Sequence, residues 1–328
     1  MMTALVDQFF NEDCIAGCRN RIPSNTVDLI VTDPPYGIGG ESLHKHYNRK
    51  EAFVLEGYRE VPAEDYATFS RDWIGEAARV LRPGGSLYIV SGYTNLVDIL
   101  NALCATPLVE MNHLIWKYNF GVYTKTKFVS SHYHILYYVK PGKKHTFHTF
   151  CRYGANERTE GNGSLNYLDR EDVWIINREY KPGKVKNKNE LPHALLTKIL
   201  QYSSREGDLV CDLFLGGFST AIVAKGLNRQ ACGFEISPPA FQHGLEHYKK
   251  TQRGELLNKL RPPVQGDLFN QGQPWAEPDL QNLAKRYQQV IREVRTKKRT
   301  IEILTKEFGR GRFALVKALK KGTDGGST

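Results

Sequence analysis

The chain of 328 residues contains no apolar run approaching the roughly 20 residues that a membrane-spanning helix needs. Its amino terminus meets Asp7 and Glu12 where a signal peptide would carry an apolar core, so a cytoplasmic protein without a membrane anchor is expected. Paired cysteines are also lacking. Cys14, Cys18, Cys104, Cys151, Cys211 and Cys232 are scattered with no C-x-x-C spacing, which argues against a zinc site or a disulfide framework and for reduced thiols. His132 and His134 alternate in SSHYHILYYV and share a strand face, but the sequence supplies no third ligand nearby, so no metal is expected. Acidic residues are in short supply. The 35 Asp and Glu stand against 45 Lys and Arg, and the net charge of +10 favours a polyanionic partner. The deficit is concentrated at one end: from Gln281 to Thr328, 13 Lys or Arg face 4 Asp or Glu, so this stretch alone supplies +9.

What is present is an alternation of apolar strands and amphipathic helices. VDLIVT (27–32), SLYIVS (86–91), VEMNHLIW (109–116), HYHILYYV (132–139), DLVCDLF (208–214) and QACGFEI (230–236) read as strands, several of them rich in β-branched residues and buried on both faces. Between the first two, Phe69, Trp73, Ala77 and Val80 recur at helical intervals and the helix is predicted to stop at Pro83-Gly84-Gly85. Strand, helix, strand repeated in this way predicts an α/β fold with a doubly wound, mostly parallel sheet. Two stretches break the pattern. Residues 37–62 form a long loop containing His44, Lys45, Arg49 and Lys50, and residues 141–191 mix Lys, Arg, Asn, Gly and aromatics with little periodicity apart from the strand-like DVWII.

Two strand ends carry chemistry. After VDLIVT the chain reads Asp33-Pro34-Pro35-Tyr36, where the prolines restrict the backbone and hold an acceptor and a flat aromatic at the carboxyl edge, the edge at which open α/β sheets bind ligands. Such a pair suits a planar substrate that offers N–H groups. Far along the chain, DLVCDLFLGGFSTAIVAKGL runs from strand to a Gly216-Gly217 turn to helix, and about 20 residues on the next strand ends at Glu235, where an acid can accept ribose hydroxyls. A nucleoside cofactor is the natural guest.

Taken in order, NEDC (11–14), DPPY, RVLRPGGSLYIV, LIWKYN, SSHYHILYYVK, an irregular insert ending in DVWII, LPHALLTKIL, DLFLGGFST and GFEIS resemble a DNA amino-methyltransferase of the D-P-P-Y type in its β arrangement, with the catalytic half before the cofactor half and a target-recognition region between them. The resemblance spans roughly residues 7 to 250. It implies a Rossmann-like methyltransferase fold, S-adenosylmethionine as cofactor and DNA as partner. It puts Asp33 and the Pro34 carbonyl on the amino group of a flipped-out base, with Pro35 shaping the turn and Tyr36 stacking on the base. It further puts Glu235 on the cofactor ribose, Asp13 at the adenine amino group, Ile236 against the adenine, and Asp212 with the turn Phe214 to Gly217 beside the methionine portion. Adenine N6 is the expected target, with cytosine N4, or a DNA-binding protein that has lost turnover, as alternatives. Two departures from the family pattern feed that last alternative: Phe218 stands where the family usually has Gly, expected to narrow the cofactor cleft, and Leu191 precedes Pro192 where Lys is usual.

The expected organisation is a catalytic half (1–140), a recognition insert (141–191), a cofactor half (192–252), a linker (253–278) and a basic helical extension (279–328). In that extension Leu280, Leu283, Tyr287, Val290 and Val294 form one apolar stripe, expected to pack on the catalytic domain or to join two chains as a homodimer. The last stretch reads as helix, Phe-Gly turn, helix, vaguely like a helix-turn-helix, and Arg310, Arg312 and Lys317 join His44, Lys45, Arg49 and Lys50 as candidate DNA contacts.

Overall fold

A computed structural model describes residues 5–35, 61–119, 121, 123–148, 170–178, 190–257 and 275–324. They fall into two compact units. In the first, eight strands form one sheet: β1 (Gln8–Phe10), β2 (Val27–Thr32), β3 (Leu81–Ser91), β4 (Val109–Lys117), β5 (His132–Val139), β6 (Val173–Ile175), β7 (Leu209–Asp212) and β8 (Gln230–Phe234), in the order β1-β8-β7-β2-β3-β5-β4-β6. Only β5 runs against the others. The central strands are apolar on both sides because each side is covered. Helices α1 (Cys14–Arg21), α2 (Tyr66–Val80) and α3 (Leu96–Cys104) bury Cys18, Trp73, Ile74 and Leu103 against Ile30, Leu87, Ile89 and Leu136. Helices α4 (His193–Ser203), α5 (Ser219–Gly226) and α6 (Pro238–Lys250) bury Leu195, Ile199, Val223 and Phe241 with Leu29, Val31, Tyr88 and Val90 in the core on the other face. The doubly wound expectation holds.

Strand order fixes where a ligand goes. From β2 the chain steps through α2 to β3 on one side, and from β7 through α5 to β8 on the other, so the crevice at a topological switch point opens between the carboxyl ends of β2 and β7. Those two ends carry the two motifs.

Four expectations are corrected. The three-residue β1 pairs in parallel with β8, Phe10 opposite Phe234, and its burial is only partial, which left no apolar run to read. Helix α2 ends at Val80, and Pro83-Gly84-Gly85 lies inside β3, where the pairing with β2 shifts register between Val27 and Leu29. The 141–191 insert is partly sheet: β6 joins β4, with Ile115 N–H donating to the Asp172 carbonyl at 2.8 Å, and the Arg178 guanidinium lies 4.7 Å from the Tyr118 ring. The linker begins later than residue 253, because Arg253 pairs with Asp7 and Leu256 packs on the core, its N–H donating to the Gly226 carbonyl.

The second unit, seen over residues 275–324, is three helices: α7 (Glu277–Val294), α8 (Lys297–Phe308) and α9 (Arg312–Asp324). The apolar stripe of α7 is spent inside this unit. Leu283 and Val290 are buried with Leu304, Leu315 and Ala318, while Leu280, Tyr287 and Val294 pack around them, which corrects the assignment of that stripe to the catalytic domain or a second chain. Among the described residues no helix is long and apolar enough to cross a membrane.

Candidate active site

β2 delivers Asp33, half-buried, to the switch point, followed by buried Pro34 and half-buried Pro35. The turn is pinned from α2, whose buried Tyr66 donates its hydroxyl to the Pro35 carbonyl at 2.9 Å. Tyr36 lies outside the described residues, as do His44, Lys45, Arg49 and Lys50. On the neighbouring strand Asp212 ends β7. Its Oδ1 accepts from Thr32 Oγ1 at 2.8 Å and from the Phe214 N–H at 3.1 Å, so one carboxylate ties the strand carrying Asp33 to the cofactor turn. Burial pushes the Asp212 carboxyl up to about 6, against hydrogen bonds from Thr220, Phe214 and Thr32 that favour its ionised form, and Glu235 raises it further.

Glu235 follows β8. Its Oε2 accepts from the Gly216 N–H at 2.8 Å and its Oε1 from the Ser237 N–H at 2.8 Å, while its own N–H donates to the Phe10 carbonyl at 3.1 Å. Desolvation raises this carboxyl as well. Each oxygen keeps a second lone pair for a hydroxyl donor. Beside it Ile236 is 42% exposed, an apolar surface at the mouth of the site. Because β1 runs parallel to β8, Asp13 is brought to the same edge, where its Oδ1 caps α1 by accepting from Ile15 and Ala16 N–H at 3.0 and 2.9 Å. The cap engages one oxygen, leaving Oδ2 outside it. Phe214 packs its ring against Trp73 and Phe69 of α2, 5.4 and 5.8 Å between centroids, which couples the two halves again.

Phe218 does not narrow the cleft. It adopts the left-handed backbone (φ 65°, ψ 19°) that glycine would take, but its ring is fully buried against Phe9 and Phe241, at 4.9 and 5.6 Å, above Gly244, where any Cβ would strike it. The site of the second departure is also explained. Leu191 is buried in the core, and the carboxylate of the preceding Glu190 sits directly over Gly217, a position that a side chain at 217 would occupy. Glu190 thus brings an acid to the cofactor turn that sequence reading missed, since its proximity arises only on folding.

Two further features were missed. His113 on β4 reaches His134 across the strands, Nε2 to Nδ1 2.8 Å, and burial, then His113, then His132 push the His134 pKa down. Among the described residues no group of three or more His, Cys, Asp or Glu is arranged to hold a metal. At the same carboxyl edge, the β4–β5 connection presents exposed Tyr123, Lys125, Lys127 and Phe128, with Phe128 99% exposed. In contrast, Arg310 is corrected as a DNA contact. It is 4% exposed and its guanidinium lies 4.1 Å over the Trp275 ring, a packing role inside the second unit. Arg312 and Lys317 are on the surface.

A doubly wound sheet whose switch point gathers buried carboxylates from two strand ends defines a Rossmann-like enzyme with a nucleoside-cofactor cleft. The family model for N6/N4 DNA methylases matches residues 27–246, and the chain belongs to that family. Among its relatives are the type II methyltransferase M.BamHI of Bacillus amyloliquefaciens, 29% identical over 83% of this chain, and the DNA adenine methyltransferase YhdJ of Escherichia coli K12, 28% identical over 79% of this chain and 90% of its own length. The chain spans 66% of the length of M.BamHI. A DNA modification methylase of Thermus thermophilus, solved with S-adenosyl-L-methionine, shares the fold with a TM-score of 0.54 over 75% of this chain and 94% of its own, at 22% identity.

Proposed function

We propose that the protein transfers a methyl group from S-adenosylmethionine to the exocyclic N6 of adenine in DNA. The observation that carries the reading is the Thr32–Asp212 hydrogen bond, which holds the Asp33-Pro34-Pro35 turn beside a cleft lined by Asp212, the 214–217 turn and Glu235. When bound, the cofactor supplies an electrophilic methyl group on a sulfonium. The residues present fit it: desolvated Asp212 and Glu190 lie at the turn where a cation is to be held, Glu235 offers acceptors to ribose hydroxyls, and exposed Ile236 offers a surface for adenine.

The target amine is a poor nucleophile because its lone pair is delocalised into the ring. Asp33 and the Pro34 carbonyl, held by the rigid turn, accept its two N–H groups and so favour a tetrahedral nitrogen whose lone pair faces the methyl group. The proton displaced on methylation leaves through Asp33 to water. Tyr36 stacks on the base, which has to leave the duplex to reach this edge. Tyr123, Lys125, Lys127 and Phe128 stand where DNA has to approach, offering charge to phosphates and rings to bases.

Purified protein incubated with unmethylated DNA and isotopically labelled S-adenosylmethionine is expected to yield labelled N6-methyladenine on nucleoside mass spectrometry. Asp33→Ala is expected to lower the rate by roughly 10²–10³-fold. Label in N4-methylcytosine would move the target to the other base, and no label at all would overturn the enzymatic reading.

A further inference from the structure

We propose that the carboxyl-terminal unit is a second, independent contact for duplex DNA, built as a helix-turn-helix with α9 in the major groove. The proposal rests on DNA being the substrate and assigns a surface outside the methyl-transfer site. Helix α8 stops at Gly309, whose left-handed backbone (φ 58°, ψ 36°) turns the chain, and α9 starts after the three residues Gly309-Arg310-Gly311. A three-residue glycine turn between two helices is the connection this motif uses. The inner side is fully committed: Leu304 and Leu315 are buried with Leu283, Val290 and Ala318, Arg310 lies over Trp275, and Arg286 joins α7 to α8 through Glu307 at 2.7 Å.

The outer side of α9 is built differently. Arg312, Phe313 and Lys317 all face solvent, and Phe313 is 90% exposed, a large ring left uncovered at the start of a helix in an otherwise packed unit. Residues at the start of a recognition helix are those that reach base edges. Arginine can pair with the guanine edge there and phenylalanine can meet a thymine methyl. The exposed Lys297, Lys298 and Arg299 open α8, the helix that crosses the backbone in this docking, so cations lie where phosphates run. Duplex DNA fits and duplex RNA does not, because the deep, narrow major groove of A-form RNA does not admit side chains.

The test uses the full chain and a fluorescently labelled DNA duplex of about 40 base pairs, long enough for both contacts at roughly 3.4 Å per step. Arg312→Ala/Phe313→Ala/Lys317→Ala is expected to raise the duplex Kd by at least about tenfold and to lower the slope of log affinity against log salt by roughly one to two. Its S-adenosylmethionine affinity is expected to stay unchanged. Phe313→Ala alone, at a fully solvated position, is expected to weaken binding without altering the slope. An unchanged Kd and slope in the triple variant would overturn the proposal, and so would an equal loss on single-stranded RNA, which marks a non-specific polyanion surface. Methyl incorporation is scored in the same samples. Wild-type protein that binds duplex in this way but transfers no methyl sinks the enzymatic reading alone, whereas methyl transfer with an unchanged Kd sinks only the second contact.

Discussion

Phe218 meets two demands that pull against each other, a backbone that glycine prefers and a cavity that only a ring fills. The left-handed conformation costs a non-glycine residue roughly 1–2 kcal/mol, whereas removing a buried phenylalanine ring costs roughly 3–5 kcal/mol. The ring wins. Phe218→Gly is therefore expected to lower stability by about 2–3 kcal/mol in urea titration and to leave S-adenosylmethionine affinity no better. Because a Cβ at Gly244 strikes the Phe218 ring, Gly244→Ala is expected to destabilise the wild type strongly and the Phe218→Gly background much less, a coupling that a double-mutant cycle reads directly. Asp212 gives a pH signature. Burial holds its carboxyl at about 6 in the folded protein, above the value of 3.8 for an exposed carboxylate, so the native state keeps a proton that the unfolded chain releases. That contribution to stability is complete below about pH 4 and is lost as pH rises through about 6. Asp212→Asn never ionises, and relative to wild type it is expected to gain roughly 2–3 kcal/mol between about pH 4.5 and about pH 7.5. A bound cation reverses the preference. Wild-type affinity for S-adenosylmethionine is expected to rise through about pH 6 in calorimetry, and that rise is expected to vanish in Asp212→Asn.

At the scale of elements, the D-P-P-Y turn is rigid partly from its own prolines and partly from a neighbour. The Tyr66 hydroxyl on the Pro35 carbonyl is the external support, and Tyr66→Phe is expected to lower kcat by about tenfold while leaving the cofactor Kd within about twofold. This split separates positioning from binding. The prolines were legible in the sequence, because their constraint is local. Tyr66 was not, since its partner is 31 residues away and the hydrogen bond is set by how α2 lands. The same distinction explains the other elements. β2, β5 and the long helix α2 announce themselves by periodicity. β1 is three residues long, and β6 becomes a strand only by pairing with β4. Phe218 was read correctly as a departure and wrongly as an obstruction, since backbone sign and ring direction are separate facts and the sequence reports neither.

Over the whole molecule, the order of motifs was enough to read the fold class, because a doubly wound sheet forces strand ends to one edge wherever they lie in the chain. Which groups share a hydrogen bond there was not legible: Thr32 and Asp212 are 180 residues apart, and Glu190 meets Gly217 through packing alone. The division into units was read from charge, and the separate core of the second unit corrected the assignment of its apolar stripe.

The placement of β7 and β8 between β1 and β2 has a consequence for how the protein comes into being. Neighbours in the sheet are remote in time on the ribosome. After Thr32 leaves the tunnel, synthesis has to reach Asp212 before β2 gains its partner on that side, a wait of roughly ten to forty seconds at the usual pace of translation. β1 waits longer still for β8. Throughout that interval the nascent catalytic half carries an apolar strand edge with no template beside it, so the cofactor half acts as the closing piece of assembly as well as the seat of the methyl donor.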